Sequence, residues 1–245
     1  MKLARQFMLV VFVILISVQP VFAATTDGMI ESLNSNEVET YFCENQFNSI
    51  MEARNYSCFE IYKAKPEIFL SGSTWEHTRY GTNKNNQIVY IRYDEAFVGQ
   101  WNNSLFTEQF WKYVESVIAA SGVTENDSIR DKVTKLAIFI GNNYRYDYEK
   151  CESNLYDNGI SYFKSLTEQQ ISFCLMDSCL FMACCNKLSI PCKYVDGEAN
   201  GYHAWNRVNI DGEWLDVDVS YARKAKNKSN YILFHSDRLV YTEIG

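Results

Sequence analysis

The sequence predicts an α+β fold, with a buried helix opening at Cys174 packed on an antiparallel sheet that carries His203 and Asp218, all preceded by a small α/β module. Three observations predict it. From Cys174 to Leu188, small and apolar residues (Leu175, Met176, Leu180, Phe181, Ala183, Cys184, Leu188) cover nearly the whole helical circumference, the mark of a helix enclosed by protein. His203 to Ile210 and Glu213 to Ser220 flank Asp211-Gly212, a strong two-residue hairpin signal. The first half mixes helical periodicity with runs rich in β-branched and aromatic residues.

The 245 residues begin with Lys2 and Arg5, an apolar run from Phe7 to Val18, and the small-residue pattern Val21-Phe22-Ala23. Residues 1–23 therefore read as a secretory signal peptide, with an uncleaved N-terminal anchor as the alternative. Export places the mature chain in a secreted or extracytoplasmic setting, with no stable membrane span after cleavage. Taking 23 residues from 245 leaves 222, and losing Lys2 and Arg5 moves the net charge from −7 to −9. An acidic chain with scattered lysines excludes a nucleic-acid-binding role. The one basic cluster, Arg223 to Lys228, reads as a solvated loop between strands.

Residues 24–122 form the expected N-terminal α/β module. Val38, Tyr41, Phe42, Phe47, Ile50 and Met51 share a helical face, which predicts a helix from about residue 36 to 54. Strands at Ser73–Tyr80 and Gln87–Tyr93 flank the turn-rich hexamer Gly81 to Asn86. A helix from about Thr107 to Ser121 turns Phe110, Trp111, Val114 and Val117 inward. The break at Gly122 starts the second unit, residues 123–245. There Asp127 or Ser128 caps a helix whose Val133, Leu136, Ala137 and Ile140 face the core, and which runs out at Gly141-Asn142-Asn143. An irregular polar stretch follows Tyr148, and Ile190 to Val195 is a short strand ended by Asp196-Gly197-Glu198.

A cysteine at the start of a buried helix meets the positive end of the backbone dipole and the first-turn N–H groups. Both favour a thiolate, and the same N–H groups can donate to a developing oxyanion. If Asp211-Gly212 form the hairpin loop, Ile210 pairs with Glu213, Arg207 with Asp216, and Trp205 with Asp218. Asp218 is then the diagonal neighbour of His203, within side-chain reach. Asp216 competes for that role, but Arg207 stands directly opposite it. Ala204, Val208, Ile210, Leu215, Val217 and Val219 make the core face, broken by Asn206. Cysteine, imidazole and carboxylate in this frame fit acyl transfer through a thioester. Trp205, which reads equally well as a packing residue, is a candidate for the cleft wall, and Tyr144 and Tyr146 are candidates for its edges.

Zinc is the rival chemistry for Cys with His, but no Cys-x2-Cys pair or His-x3-5-His spacing occurs. Neither an EF-hand loop nor a nucleotide motif is present, so no cofactor is expected. Of the eight cysteines, Cys43 with Cys58 is the most plausible bridge and Cys151 with Cys192 a further candidate. Cys179, Cys184 and Cys185 fall inside the helix as small buried hydrophobes.

These residues resemble the transglutaminase-like superfamily, whose members share a papain-like Cys-His-Asp core. The resemblance runs through Asn143-Tyr144-Arg145-Tyr146-Asp147, Cys174, Ile190-Pro191-Cys192, His203-Ala204-Trp205-Asn206 and Gly212-x-Trp214-x-x-Val217-Asp218-Val219-Ser220. Lys65-Pro66-Glu67-Ile68-Phe69 is similar to a segment of the lead-in module of exported bacterial relatives. The chain departs from the family pattern where Ser172 and Ser189 stand for glycines, Leu175 for the tryptophan of animal transglutaminases, and Met176 for a small residue. Cys179 as nucleophile would leave the helix too short. The resemblance implies an exported enzyme acting on a glutamine carboxamide or peptide bond of a protein or peptide substrate at the cell surface. Cys174 would be the nucleophile, His203 the proton shuttle and Asp218 its orienting partner. A catalytically silent module of the same fold, binding protein or cell-surface ligands, is the alternative.

Overall fold

The computed structural model describes residues 23–24, 30, 33–34, 40–47, 49, 61–62, 64–71, 78–148, 159–199, 201–235 and 242–243. The expected signal segment up to residue 22 lies outside them. In the first half, β1 (Ala23–Ala24), β2 (Thr40–Phe47), β3 (Thr78–Thr82) and β4 (Ile88–Tyr93) form one sheet in the order β1-β2-β4-β3. The β3–β4 hairpin is the expected one, shifted so that Gly81 and Thr82 belong to the strand. Its turn is held by the Asn83 side chain, which accepts from the backbone of Asn85 and Gln87.

The helix expected over residues 36–54 is replaced, over its middle, by β2, which pairs antiparallel with β4. Thr-Tyr-Phe-Cys has good strand propensity, and the open edge of β4 offers a backbone ladder that a local periodicity count does not register. Helix α1 (Glu67–Ser71) lies between β2 and β3, and α2 (Glu95–Trp101) and α3 (Ser104–Ala120) follow β4. Phe110, Val114 and Val117 of α3 are buried as the spacing predicts, and Asn103 caps its start.

Glu67 in α1 is an unusual core residue. It is 2% exposed, and its Oε2 has no hydrogen-bond partner. Burial raises its pKa, offset in part by the Lys65 charge and by hydrogen bonds from Thr107 and Trp111. A carboxyl whose folded pKa is raised contributes stability below its unfolded pKa and loses it as pH rises through the folded value. Glu67→Gln should therefore be close to neutral at pH 4 but stabilise the fold at pH 7 by about 1–2 kcal/mol. Urea denaturation of both proteins at the two pH values checks this, and an equal effect at both would contradict it.

The second half begins with α4 (Ile129–Asn143), capped by Ser128, whose Oγ accepts from Asp131 N–H. Asp127 instead pairs with Lys135 at 2.7 Å. Val133, Leu136, Ala137 and Ile140 are buried. β5 (Arg145–Tyr146) pairs parallel with β6 (Ile171–Ser172), so the Tyr-rich segment lies alongside the residues that lead into Cys174. The segment read as irregular contains α5 (Gly159–Lys164), continued by a π-helical turn over Ser165–Gln169.

The long helix α6 (Cys174–Lys187) is buried from Cys174 to Cys185. It packs on a five-stranded sheet ordered β10-β9-β8-β7-β11, from β7 (Cys192–Glu198), β8 (Tyr202–Ile210), β9 (Glu213–Val217), β10 (Ile232–Phe234) and β11 (Thr242–Glu243). β7 runs three residues beyond the expected end at Val195. Its pairing with β8 continues to Glu198 opposite Tyr202 and closes only at Gly201, where φ is +110°. The other side of α6 meets α1, α3 and α4, and the buried apolar residues of both halves form one continuous cluster.

α6 ends in a turn where Leu188 N–H donates to the Cys184 and Cys185 carbonyls and Ile190 N–H to that of Cys185. Ser189 takes φ +56° there, the left-handed conformation that a glycine adopts without a Cβ clash. Ser189→Gly should stabilise the protein by about 0.5–1 kcal/mol, read as a higher urea midpoint at unchanged slope.

The cysteines depart from one expectation. Cys192 stands outside any disulfide, and Cys151, its candidate partner, lies outside the described residues. Cys192 carries a thiol, is buried, and shares a hydrogen bond with Cys185. Burial pushes the Cys184 and Cys185 thiols well up, so both stay neutral packing groups, as expected for the helix interior. Cys58, and the side chain of Cys43, lie outside the described residues.

Candidate active site

The β8–β9 hairpin has the register its turn dictates. Ile210 pairs with Glu213, Val208 with Leu215 and Arg207 with Asp216, around Asp211 (φ +55°) and Gly212 (φ +90°). Ala204, Val208, Ile210, Leu215 and Val217 are buried on the core face. Asn206 on that face spans to α6, its amide donating to the Ser178 carbonyl at 3.1 Å and to the Lys193 carbonyl at 3.3 Å.

The second strand stops at Val217, three residues short of the expected end. Asp218 is the N-cap of a helix absent from the sequence reading, α7 (Val219–Lys224), and its Oδ1 accepts from Tyr221 N–H at 2.9 Å. The signal was present: an aspartate before a short run ending in Arg223-Lys224 is a helix start followed by cations at the negative end. The strand pattern through Ser220 obscured it. The basic cluster is a solvated loop only around the exposed Lys226, between the end of α7 and a 3-10 turn starting at Lys228. Arg223 is nearly buried, Lys224 lies over the Tyr146 and Tyr148 rings, and Lys228 Nζ donates to the carbonyls of Ala222 and Arg223.

The cap leaves the second carboxylate oxygen for His203. Nε2 of His203 and Oδ2 of Asp218 are 2.7 Å apart, with His203 7% and Asp218 0% exposed. An ionised carboxylate only accepts, so the pairing puts the imidazole proton on Nε2 and leaves Nδ1 as the acceptor nitrogen. Asp216, the competing carboxylate, is engaged elsewhere: its Oδ1 accepts from Trp205 Nε1 at 2.9 Å and from Arg207 Nε at 3.0 Å.

Two aromatic rings flank the imidazole. Trp205 lies nearly parallel to it at 6.2 Å and is only 1% exposed, so it backs the histidine from within the protein. Tyr221, which the sequence reading missed, meets the imidazole edge-on at 4.9 Å and donates its hydroxyl to the Ala199 carbonyl. That bond ties α7 to the β7–β8 turn beside His203. Tyr146 is half-buried, packed edge-on against Tyr148 and beneath the Arg223 and Lys224 cations.

Cys174 is the first residue of α6, outside any disulfide and 2% exposed. The helix N-cap is Phe173, whose side chain offers no acceptor to the first-turn N–H groups. The structure thus joins His203 directly to Asp218 and sets Cys174 at the head of the helix packed against the strand that carries His203. Among the described residues, no group of three or more His, Cys, Asp and Glu side chains is arranged to hold a metal ion.

Residues 118–219 match the family model of the transglutaminase-like superfamily, and this segment is a domain of that superfamily. Cys174, His203 and Asp218 all fall inside it. The helix-on-antiparallel-sheet core is the α+β arrangement expected for such a domain. Solved structures similar to the chain include the following two. One, a crystal structure of a TGase, is 20% identical over 75% of this chain and 51% of that chain, with a TM-score of 0.40. The other, a candidate cysteine protease from Cytophaga hutchinsonii, is 18% identical over 69% of this chain and 66% of that chain, with a TM-score of 0.39. The chain spans about half the length of the first of these. No curated protein matches the chain.

Proposed function

We propose that the protein is an exported thiol enzyme that transfers an acyl group from a glutamine carboxamide or a peptide bond through a Cys174 thioester. The observation that carries this reading is the buried His203–Asp218 pair at 2.7 Å beside a sheet packed by the helix that Cys174 heads. The Cys174 thiol gives its proton to His203 Nδ1 and its sulfur attacks the substrate carbonyl carbon. The tetrahedral oxyanion is met by first-turn N–H groups, that of Cys174 among them. Collapse breaks the C–N bond, and His203 returns the proton to the departing ammonia or amine. A primary amine or water then attacks the thioester, with His203 taking its proton and the sulfur leaving. Asp218 holds the imidazole tautomer throughout.

One observation favours the alternative of a catalytically silent binding module: the Cys174 side chain is almost wholly enclosed. Iodoacetamide labelling with peptide mapping separates the two. The enzyme reading expects Cys174 in the folded protein to react much faster near neutral pH than in a denatured control. A glutamine peptide with a primary amine should then yield the cross-linked or hydrolysed product, and Cys174→Ala should yield neither. Labelling no faster than the control, with no product, would leave the binding module.

A further inference from the structure

Behind Cys174 lies a buried polar cluster with no part in the chemistry above. Asp177, one turn into α6 and 1% exposed, accepts four hydrogen bonds. Arg223 of α7 grips it with both terminal nitrogens, Nη1 to Oδ2 at 2.9 Å and Nη2 to Oδ1 at 2.8 Å. Ser172 Oγ donates to Oδ1 at 2.6 Å and Ser220 Oγ to Oδ2 at 2.7 Å. Arg223 also donates from Nη2 to Ser172 Oγ at 3.0 Å and from Nε to the Gly141 carbonyl at the end of α4.

The placement of these groups is specific. Ser172 precedes Cys174 by two residues and Asp177 follows it by three, so one guanidinium holds a side chain on either side of Cys174. That guanidinium belongs to α7, whose N-cap is Asp218, and Asp218 holds His203. A connected path therefore runs from the side chains flanking Cys174 through Arg223 and the short helix α7 to Asp218 and the imidazole. A carboxylate in the first turn of α6 would oppose a thiolate at Cys174, and the bidentate guanidinium offsets that charge. Buried ion pairs hold geometry more than they add stability over apolar side chains of the same volume.

We propose that Asp177 and Arg223, with Ser172 and Ser220, are positioning residues that set the Cys174 sulfur relative to His203. This deepens the thiol-enzyme reading and rests on it. The test measures the pH profile of Cys174 iodoacetamide alkylation, by peptide mapping of folded protein, in wild type, the double variant D177N/R223Q and Ser172→Ala. The double variant keeps an amide pair in place of the ions, and Ser172→Ala removes a single hydroxyl, so at least the second retains its fold, as circular dichroism will verify.

The expected result is a neutral-pH rate reduced about tenfold in the double variant, a smaller loss in Ser172→Ala, and a profile displaced to higher pH in both. A role confined to stability would lower the melting temperature and leave the profile of the folded protein where it was. Wild-type profiles in the folded variants overturn the positioning role and leave the thiol reading intact. A wild-type Cys174 no faster than the denatured control overturns the thiol reading itself, and the positioning role with it.

Discussion

Asp218→Asn should lower the acyl-transfer rate by about 10³–10⁴-fold while leaving the fold nearly as stable as before. Asparagine caps a helix as well as aspartate, so the bond from Tyr221 N–H and the start of α7 survive the change. What is lost is the obligate acceptor at 2.7 Å from His203 Nε2. An amide can present its NH2 to that nitrogen and so invert the tautomer, placing the proton on Nδ1, the nitrogen that takes the thiol proton in the proposed mechanism. Asp218→Ala removes both functions and should cost a further 0.5–2 kcal/mol or so of stability through the missing cap. Comparing turnover of a glutamine peptide with the urea midpoint separates the two contributions. Full activity in Asp218→Asn would mean that some other group orients His203.

The second large effect is on stability. Arg223→Ala should destabilise the protein by about 3–5 kcal/mol, because the Asp177 carboxylate is left inside the protein without its counter-ion. Ser172 and Ser220 would still donate, but two neutral hydroxyls replace poorly a bidentate cation. The Lys112–Glu108 pair on the exposed face of α3 supplies the contrast: its contact is short, yet water solvates both groups, and Lys112→Ala should leave the denaturation midpoint unmoved. Urea unfolding of the two variants reads the difference directly, and equal midpoints would show that burial does not amplify the Arg223 interaction.

The part of the site written in local chemistry was legible in the sequence. Asp211-Gly212 sets the β8–β9 register because both residues must take positive φ, and that register alone puts Arg207 across from Asp216. The enclosure of α6 follows from a run without a polar stripe, and its start at Cys174 is where the apolar run begins. Other features were hidden for identifiable reasons. The periodicity of residues 36–54 fits a helix, but pairing with β4 decides the outcome, and the partner lies about fifty residues away. Val217 to Ser220 alternates like a strand, so the Asp218 cap and Tyr221 beside the imidazole went unseen. Arg223 looked like one of several surface cations, since no local pattern reveals that Asp177, 46 residues earlier, closes on it.

The dual attachment of Asp218 has a practical corollary for anyone trimming this protein. A fragment cut at residue 219, where the superfamily segment ends, retains sulfur, imidazole and carboxyl in full. It discards the peptide N–H of Tyr221 that aims the carboxyl, together with the guanidinium anchoring the turn from which that carboxyl projects. Such a fragment would own every reagent and lack the jig, so excision should stop no earlier than the last residue of the short helix, Lys224.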